Sequence, residues 1–348
     1  MELCDLEWKE FDIADFFDIT GSKTTQKKVL EKIGNGQYPY ITTQTTNNGQ
    51  AGYFGKYTEE GNVLVVDSAV AGFCTYQKNN FTASDHVEKL VPKCKFNRYI
   101  AIFLTLQINN NNFSKFSYGY KASQIRLKRS KIMLPVNEVG NPDFEYMEQY
   151  IYNLEKTKRE EYIVSCKNIL KKLGEIVPIQ SISKITWKPF CIDDIFNVES
   201  GKRLESYNMN SGTRPFIGAI DSGNGITNYV SNENNSIDKN VLGVNYNGNG
   251  MAISFYHPYE CIFSDDVKRF HLKEYPDNKF VLLFFKTIIL QQKPKYNYGY
   301  KFNGTRMKRQ IIMIPVNEAG RPDYEYMEQY VKNIMIKKYS DYLSYAEK

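Results

Sequence analysis

Apolar and polar positions along the chain form two kinds of pattern, and each kind occurs twice. Strand-like runs include Val63-Leu64-Val65-Val66 in the first half, and Val241–Val244 then Ala252–Phe255 in the second. Asn-Gly, Gly-Asn and Asp-Ser pairs separate them, which marks a β-rich meander. Each half opens with a short amphipathic turn after a tryptophan, Ile13–Phe17 after Trp8 and Ile192–Phe196 after Trp187, and then a basic polar loop. Apolar helices are predicted at Tyr99–Leu106 and Lys279–Leu290, and proline-containing strands at Ile132–Val136 and Ile312–Val316. A long helix should start after each of these strands, because Asp143 and Asp323, each after a proline, are placed to cap free N–H groups. Met147, Tyr150, Ile151 and Leu154 recur at helical spacing. After a charged break at Lys156–Glu161 come Ile163, Cys166, Leu170 and Leu173. The second stripe is Met327, Val331, Ile334, Lys338 and Tyr342. Such stripes read as coiled-coil-like seams, with packing of each helix on its own domain as the alternative.

The doubling is a duplication. KIMLPVNEVGNPDFEYMEQYI (131–151) returns 180 residues later as IIMIPVNEAGRPDYEYMEQYV (311–331), and Tyr118-Gly119-Tyr120-Lys121 returns as Tyr298-Gly299-Tyr300-Lys301. Ser84–Lys89 likewise answers to Ser264–Arg269, and the Trp8 and Trp187 segments match at the start of each half. This period far exceeds the roughly 20–50 residues of solenoid repeats, so a whole domain has been copied. The expected order is a domain at 1–142, a helix at 143–174, a linker at 175–184, a second domain at 185–322 and a second, shorter helix at 323–348. The fold class is α/β (α+β), with two tandem β-rich modules.

Composition narrows the class. Of 348 residues 42% are hydrophobic, enough for two real cores, and the net charge of +6 favours a nucleic-acid partner only mildly. The cysteines (Cys4, Cys74, Cys94, Cys166, Cys191, Cys261) form no C-x-x-C pair, which argues against a zinc ribbon. The start is acidic and polar rather than patterned as a signal peptide, and Phe280–Leu290 is too short to span a bilayer. The expectation is a soluble, reducing, cytoplasmic protein. No glycine-rich cofactor turn, no Pro-Pro base clamp and no P-loop is present, and Gly248-Asn249-Gly250 reads as a turn. Pro-Asp at 142–143 and 322–323 is explained by helix capping rather than by a nuclease site. His86, His257 and His271 are not equivalently placed in the two halves.

The copies differ where a reader of bases should differ. Module ends match closely, while polar loops diverge: Ser22–Lys28 faces Gly201–Leu204, and Thr42–Thr46 becomes Gly218–Ser222. A shared scaffold with changeable polar loops suits two readers of two targets, since packing must stay fixed and base-edge donors and acceptors must change. Candidate readers are Lys23, Lys27, Lys28, Thr42, Thr43, Gln44, Thr45 and Asn47 in the first copy, and Lys202, Arg203, Asp221 and Asn224 in the second. Candidate phosphate contacts are Lys121, Arg126, Lys301 and Arg306, beside Tyr118, Tyr120, Tyr298 and Tyr300 as further DNA-binding candidates, because cations beside repeated tyrosines can serve any sequence.

The order of a starting tryptophan, Pro39-Tyr40-Ile41 or Pro215-Phe216-Ile217, Tyr-Gly-Tyr-Lys and the Pro-Val-Asn-Glu…Glu-Tyr-Met-Glu-x-Tyr ending resembles the DNA specificity subunit of type I restriction–modification systems. The similar subunits of type IIB enzymes share it. The resemblance implies that each module reads one half of a split site in double-stranded DNA. It implies two helices pairing antiparallel as a spacer. It also implies docked methyltransferase subunits that carry S-adenosylmethionine, joined in some systems by a restriction subunit. Met147, Ile151, Leu154, Met327, Val331 and Ile334 are the candidate subunit-interface residues. No catalysis, cofactor, metal or membrane contact is expected of the chain itself. The competing readings are a self-sufficient methyltransferase or nuclease, and an interaction or scaffold protein with no DNA role.

Overall fold

The computed structural model describes residues 5–69, 71–113, 115–248 and 250–347, so Cys4 and Asn249 lie outside the described residues. The chain divides into two compact units, Met1–Tyr162 and Ile163–Lys348.

In the first unit β1 (Trp8–Asp12) leads through α1 (Ile13–Phe16) into β2 (Phe17–Gly21), α2 (Lys27–Ile33) and β3 (Asn35–Ile41). There follow β4 (Gln50–Phe54), β5 (Val63–Asp67), β6 (Cys74–Gln77), β7 (Thr82–Ala83) and β8 (Val87–Pro92). The unit then runs through α3 (Arg98–Asn112), α4 (Gln124–Lys128) and β9 (Lys131–Pro135) into α5 (Phe144–Leu173). Strands β2-β8-β5-β6 form one antiparallel sheet, and β4-β3-β7 a second in which β3 and β7 are parallel. A ribbon of β1 and β9 ties the module start to its end, with Trp8 opposite Pro135. Strand β5 shows why the fold holds. All five of its residues are buried. Leu64 and Val66 enter the core under α3, while Val63 and Val65 enter a smaller cluster with Ile41, Phe81 and Val87. Alternating side chains thus serve two cores, so a continuous apolar run marks a strand covered on both faces.

The second unit repeats this plan. It comprises β10 (Trp187–Cys191), α6 (Ile192–Ile195), β11 (Phe196–Ser200), β12 (Ser211–Ile217), β13 (Ile226–Val230) and β14 (Ile237–Asp238). After these come β15 (Val241–Asn245), β16 (Ser254–His257), β17 (Cys261–Phe263), β18 (Val267–Leu272), α7 (Lys279–Leu290), α8 (Gly304–Arg309), β19 (Ile311–Pro315) and α9 (Tyr324–Ala346). Its sheets run β11-β18-β15-β16 and β13-β12-β17-β14. The duplicated tryptophans pack alike: Trp8 stacks on Phe103 at 6.2 Å and Trp187 on Phe284 at 6.3 Å.

Several elements differ from expectation for local reasons. Helix α3 runs on to Asn112, started by Asn97, whose side chain accepts from the Tyr99 and Ile100 amides. The first basic loop already turns helical at Lys27. Helix α5 has no break at Lys156–Glu161: Arg159–Glu155 and Lys158–Glu161 pair along its surface, as charged helix formers do at these spacings. The caps are as predicted, Asp143 Oδ1 accepting from the Tyr146 amide and Asp323 Oδ1 from the Tyr326 amide.

The proposed interface stripe needs correction. Met147 and Ile151 are buried in the core of the first unit, Met327 is buried in that of the second, and Val331 packs against it. These four hold each helix on its own module, because they continue the apolar face that α3 and α7 present. Leu154 and Ile334 are the exposed members, at 44% and 43%. Within the second unit the last turns of α5 and the chain after it run antiparallel to α9. Lys167 pairs with Glu347 at 3.1 Å, the Val177 amide donates to Asn333, and Tyr326 donates to the Gln180 carbonyl. Among the described residues no helix is long and apolar enough to cross a membrane, and no group of three metal-ligating side chains occurs.

Candidate nucleic-acid interface

Between α3 and α4 the first unit builds a hook on the Tyr-Gly-Tyr-Lys segment. Ser117 and Tyr120 bridge across Tyr118-Gly119, which leaves Tyr118 78% exposed. The Arg126 guanidinium lies 3.9 Å from the centroid of the Tyr120 ring and donates from Nη1 to the Lys121 carbonyl at 2.8 Å. Phe116 also stacks with Tyr120, at 5.9 Å. The Lys121 ammonium sits 5.3 Å from the Tyr118 ring.

The second unit reproduces the hook almost atom for atom. Arg306 lies 4.0 Å over Tyr300 and donates to the Lys301 carbonyl at 3.0 Å, Tyr296 stacks with Tyr300 at 5.8 Å, and Lys301 sits 5.4 Å from Tyr298. A guanidinium held over one ring and bonded to a main-chain carbonyl loses rotamer freedom before any ligand arrives, yet keeps donors for an anion. In the first unit the hook borders a cleft of about 790 Å³. Lys115, Lys121, Arg126 and Arg129 are among its lining residues, and no carboxylate is. That composition suits phosphate oxygens.

The divergent loops gather at one end of the sheets. In the first unit the Thr25 amide donates to the Ala83 carbonyl, and the Ser84 amide to the Ile41 carbonyl, so the loops after β2, β3 and β7 lie side by side. In the second unit Lys202 bonds Phe263 and Ser264 bonds Ile217 in the same way. Packing brings α4 to this end as well: a Cβ at Gly21, the last residue of β2, would lie 3.3 Å from Gln124 on α4.

The candidate readers fare unequally. Lys23, Lys28, Thr45, Asn47, Lys202 and Asp221 are exposed, and Lys27 is exposed with Glu31 at 3.8 Å. Thr42 and Thr43 are half-buried. Gln44 spends its amide on the Gln50 carbonyl at 2.6 Å, which shapes the loop from within. Arg203 is tied by Glu205 at 2.7 Å and Asp265 at 3.9 Å. Asn224 turns inward and donates to the Tyr259 hydroxyl at 2.6 Å.

Sequence reasoning missed three features. One is the Ser84-Asp85-His86 turn and its counterpart Ser264-Asp265-Asp266, which stand between the variable loops; their repetition was visible but carried no chemistry by itself. The second is Asn245, whose amide holds the Ile220 carbonyl at 2.8 Å. The third is an ionic cluster beneath the second module's loops. His271 lies 2.6 Å from Asp277 and 2.9 Å from Asp238, and Arg269 reaches both Asp238 and Glu199 at 2.9 Å. Hydrogen bonds to Asp238 and Asp277 push the His271 imidazole up to about 10, so it is a fixed cation. In the first unit Lys89 and the buried Glu59, 2.6 Å apart, hold the corresponding place. Burial pushes His257 down to about 4.

Comparison with known proteins agrees with this layout. The family described as "Type I restriction modification DNA specificity domain" matches twice, over residues 5–162 and 184–341. The chain is 41% identical, over 94% of its length and 94% of the relative's, to the type II restriction enzyme BgcI specificity subunit S.BcgI of Heyndrickxia coagulans. It is 22% identical, over 48% of its length and 53% of the relative's, to a putative type I specificity subunit of Mycoplasma pneumoniae. The crystal structure of a type I restriction–modification S subunit from M. genitalium shares the fold, with a TM-score of 0.51 at 14% identity, covering 100% of this chain and 95% of that one. With both modules matching its model over most of the chain, and with a relative 41% identical, the chain belongs to the type I restriction–modification DNA specificity family and is a non-catalytic restriction–modification specificity subunit.

Proposed function

We propose that each module reads one half of a split duplex site and that the chain delivers a separate adenine methyltransferase to it. The observation that carries this reading is a pair of matching hooks on two modules whose loops are unlike. Phosphates are the same in every sequence, so their contacts survive duplication; base edges differ, so their readers diverge. Lys121, Arg126, Lys301 and Arg306 hold the backbone, and Thr43, Thr45 and Asn47 with Asp221 and its neighbours read bases. S-adenosylmethionine belongs to the partner. Leu154 and Ile334, exposed on α5 and α9, are the better placed of the six stripe residues to meet it. The name of the Heyndrickxia relative supports a partner that also cuts.

Methylome sequencing of cells with and without the gene tests the reading. A two-part methylated motif should vanish on deletion. Its persistence, or methyl transfer by the purified chain alone, overturns the proposal.

A further inference from the structure

Each reader loop closes on a turn of the same unusual hand. Asn47, Asn48 and Gly49 have φ of 50°, 53° and 77°, and Gly223, Asn224 and Gly225 have 56°, 55° and 76°. Three successive left-handed residues are rare, and asparagine tolerates that region better than most side chains. Main-chain bonds staple both turns alike. The Thr42 amide donates to the Gly49 carbonyl at 2.8 Å and the Gly218 amide to the Gly225 carbonyl at 2.9 Å. Gly49 and Gly225 are also pressed onto the sheet: a Cβ there would lie 3.3 Å from Ile41 and 3.1 Å from Ile217.

What differs is the tether on the central asparagine. Asn48 donates to the Tyr76 carbonyl at 2.9 Å, and its own carbonyl accepts from Gln77 at 3.0 Å. In the second module His257 takes the register position of Gln77, opposite Val241 as Gln77 is opposite Val63. It is buried, with neither ring nitrogen hydrogen-bonded. There Asn224 reaches the Tyr259 hydroxyl instead.

We propose that Asn48 and Asn224 are positioning residues for base reading, and that Tyr259 does for the second module what the Tyr76 carbonyl and Gln77 do for the first. The staples are main-chain bonds and the tethers lie outside Thr42–Thr46 and Gly218–Ser222, so side chains in those segments can change target while the closing turn is kept. This rests on the reading that these loops contact bases.

The test replaces the chromosomal gene with Tyr259→Phe, which keeps the ring and removes the acceptor, and reads the methylated motif of the native complex. The second half-site is identified as the one altered when Gly218–Ser222 are exchanged. Methylation at near-cognate versions of that half-site should rise about three- to tenfold, as expected for one lost hydrogen bond, with the first half-site unchanged. Asn224→Ala should do the same. Asn224→Asp should restore discrimination, since a carboxylate accepts from Tyr259 and aspartate tolerates the left-handed region. Undiminished discrimination in Tyr259→Phe overturns the inference, as does equal relaxation of both half-sites, which marks a general structural defect. If the exchange of Gly218–Ser222 alters neither half-site, the underlying reading of the loops fails instead.

Discussion

His271→Gln removes the cation that Asp238 and Asp277 flank in the second module. The imidazole rises from 6.5 to about 10 in the fold. At about 1.4 kcal/mol per pH unit this sets a ceiling near 5 kcal/mol. The real contribution is smaller. The side chain is 25% exposed, and Asp238 keeps Arg269 at 2.9 Å when the histidine is lost. Solvent screening and that second partner bring the expected loss to about 2 kcal/mol. The sign follows from linkage: a group with a raised folded value stabilises fully below its unfolded value and loses that stabilisation as pH rises. The gap between wild type and variant should therefore be widest below pH 6.5, narrow steadily above it and close near pH 10. Urea unfolding of both proteins across that range measures it. A shift in melting temperature of about 4–8 °C near neutrality is the matching thermal readout. A gap that does not change with pH would refute the reasoning, because it would mean that the histidine stabilises by shape rather than by charge.

Arg126→Ala and Arg306→Ala should each weaken binding to cognate and unrelated duplexes alike, and lower the slope of log affinity against log salt by about one. Fluorescence anisotropy across a salt series checks this; a loss confined to the cognate duplex would make the hooks readers of bases. Met147→Ala and Met327→Ala should each cost about 2–5 kcal/mol because both side chains are fully buried. Leu154→Ala should stay within about 0.5 kcal/mol by the same unfolding assay. Exchanging Thr42–Asn47 for Gly218–Gly223 should change or abolish one half of the methylated motif and spare the other, as methylome sequencing would show.

The repeat determined much without any coordinates. Periodicity and capping residues predict where α7 begins and ends and where α5 and α9 start, because these signals act within a few residues of chain. The 180-residue offset shows a copied domain, and comparison of the copies separates scaffold from variable loop. Tertiary structure decided the rest. Whether Met147 faced a partner or its own core depended on α3 packing over it, and a helical stripe reads the same in either case. That Asn224 points inward depended on Tyr259, 35 residues away along the chain. The His271 cation arises from carboxylates on separate segments, Asp238 and Asp277, which no local pattern links. Local interactions repeat with the sequence; burial and charge pairing join distant positions, and only the folded chain brings them within a few ångströms.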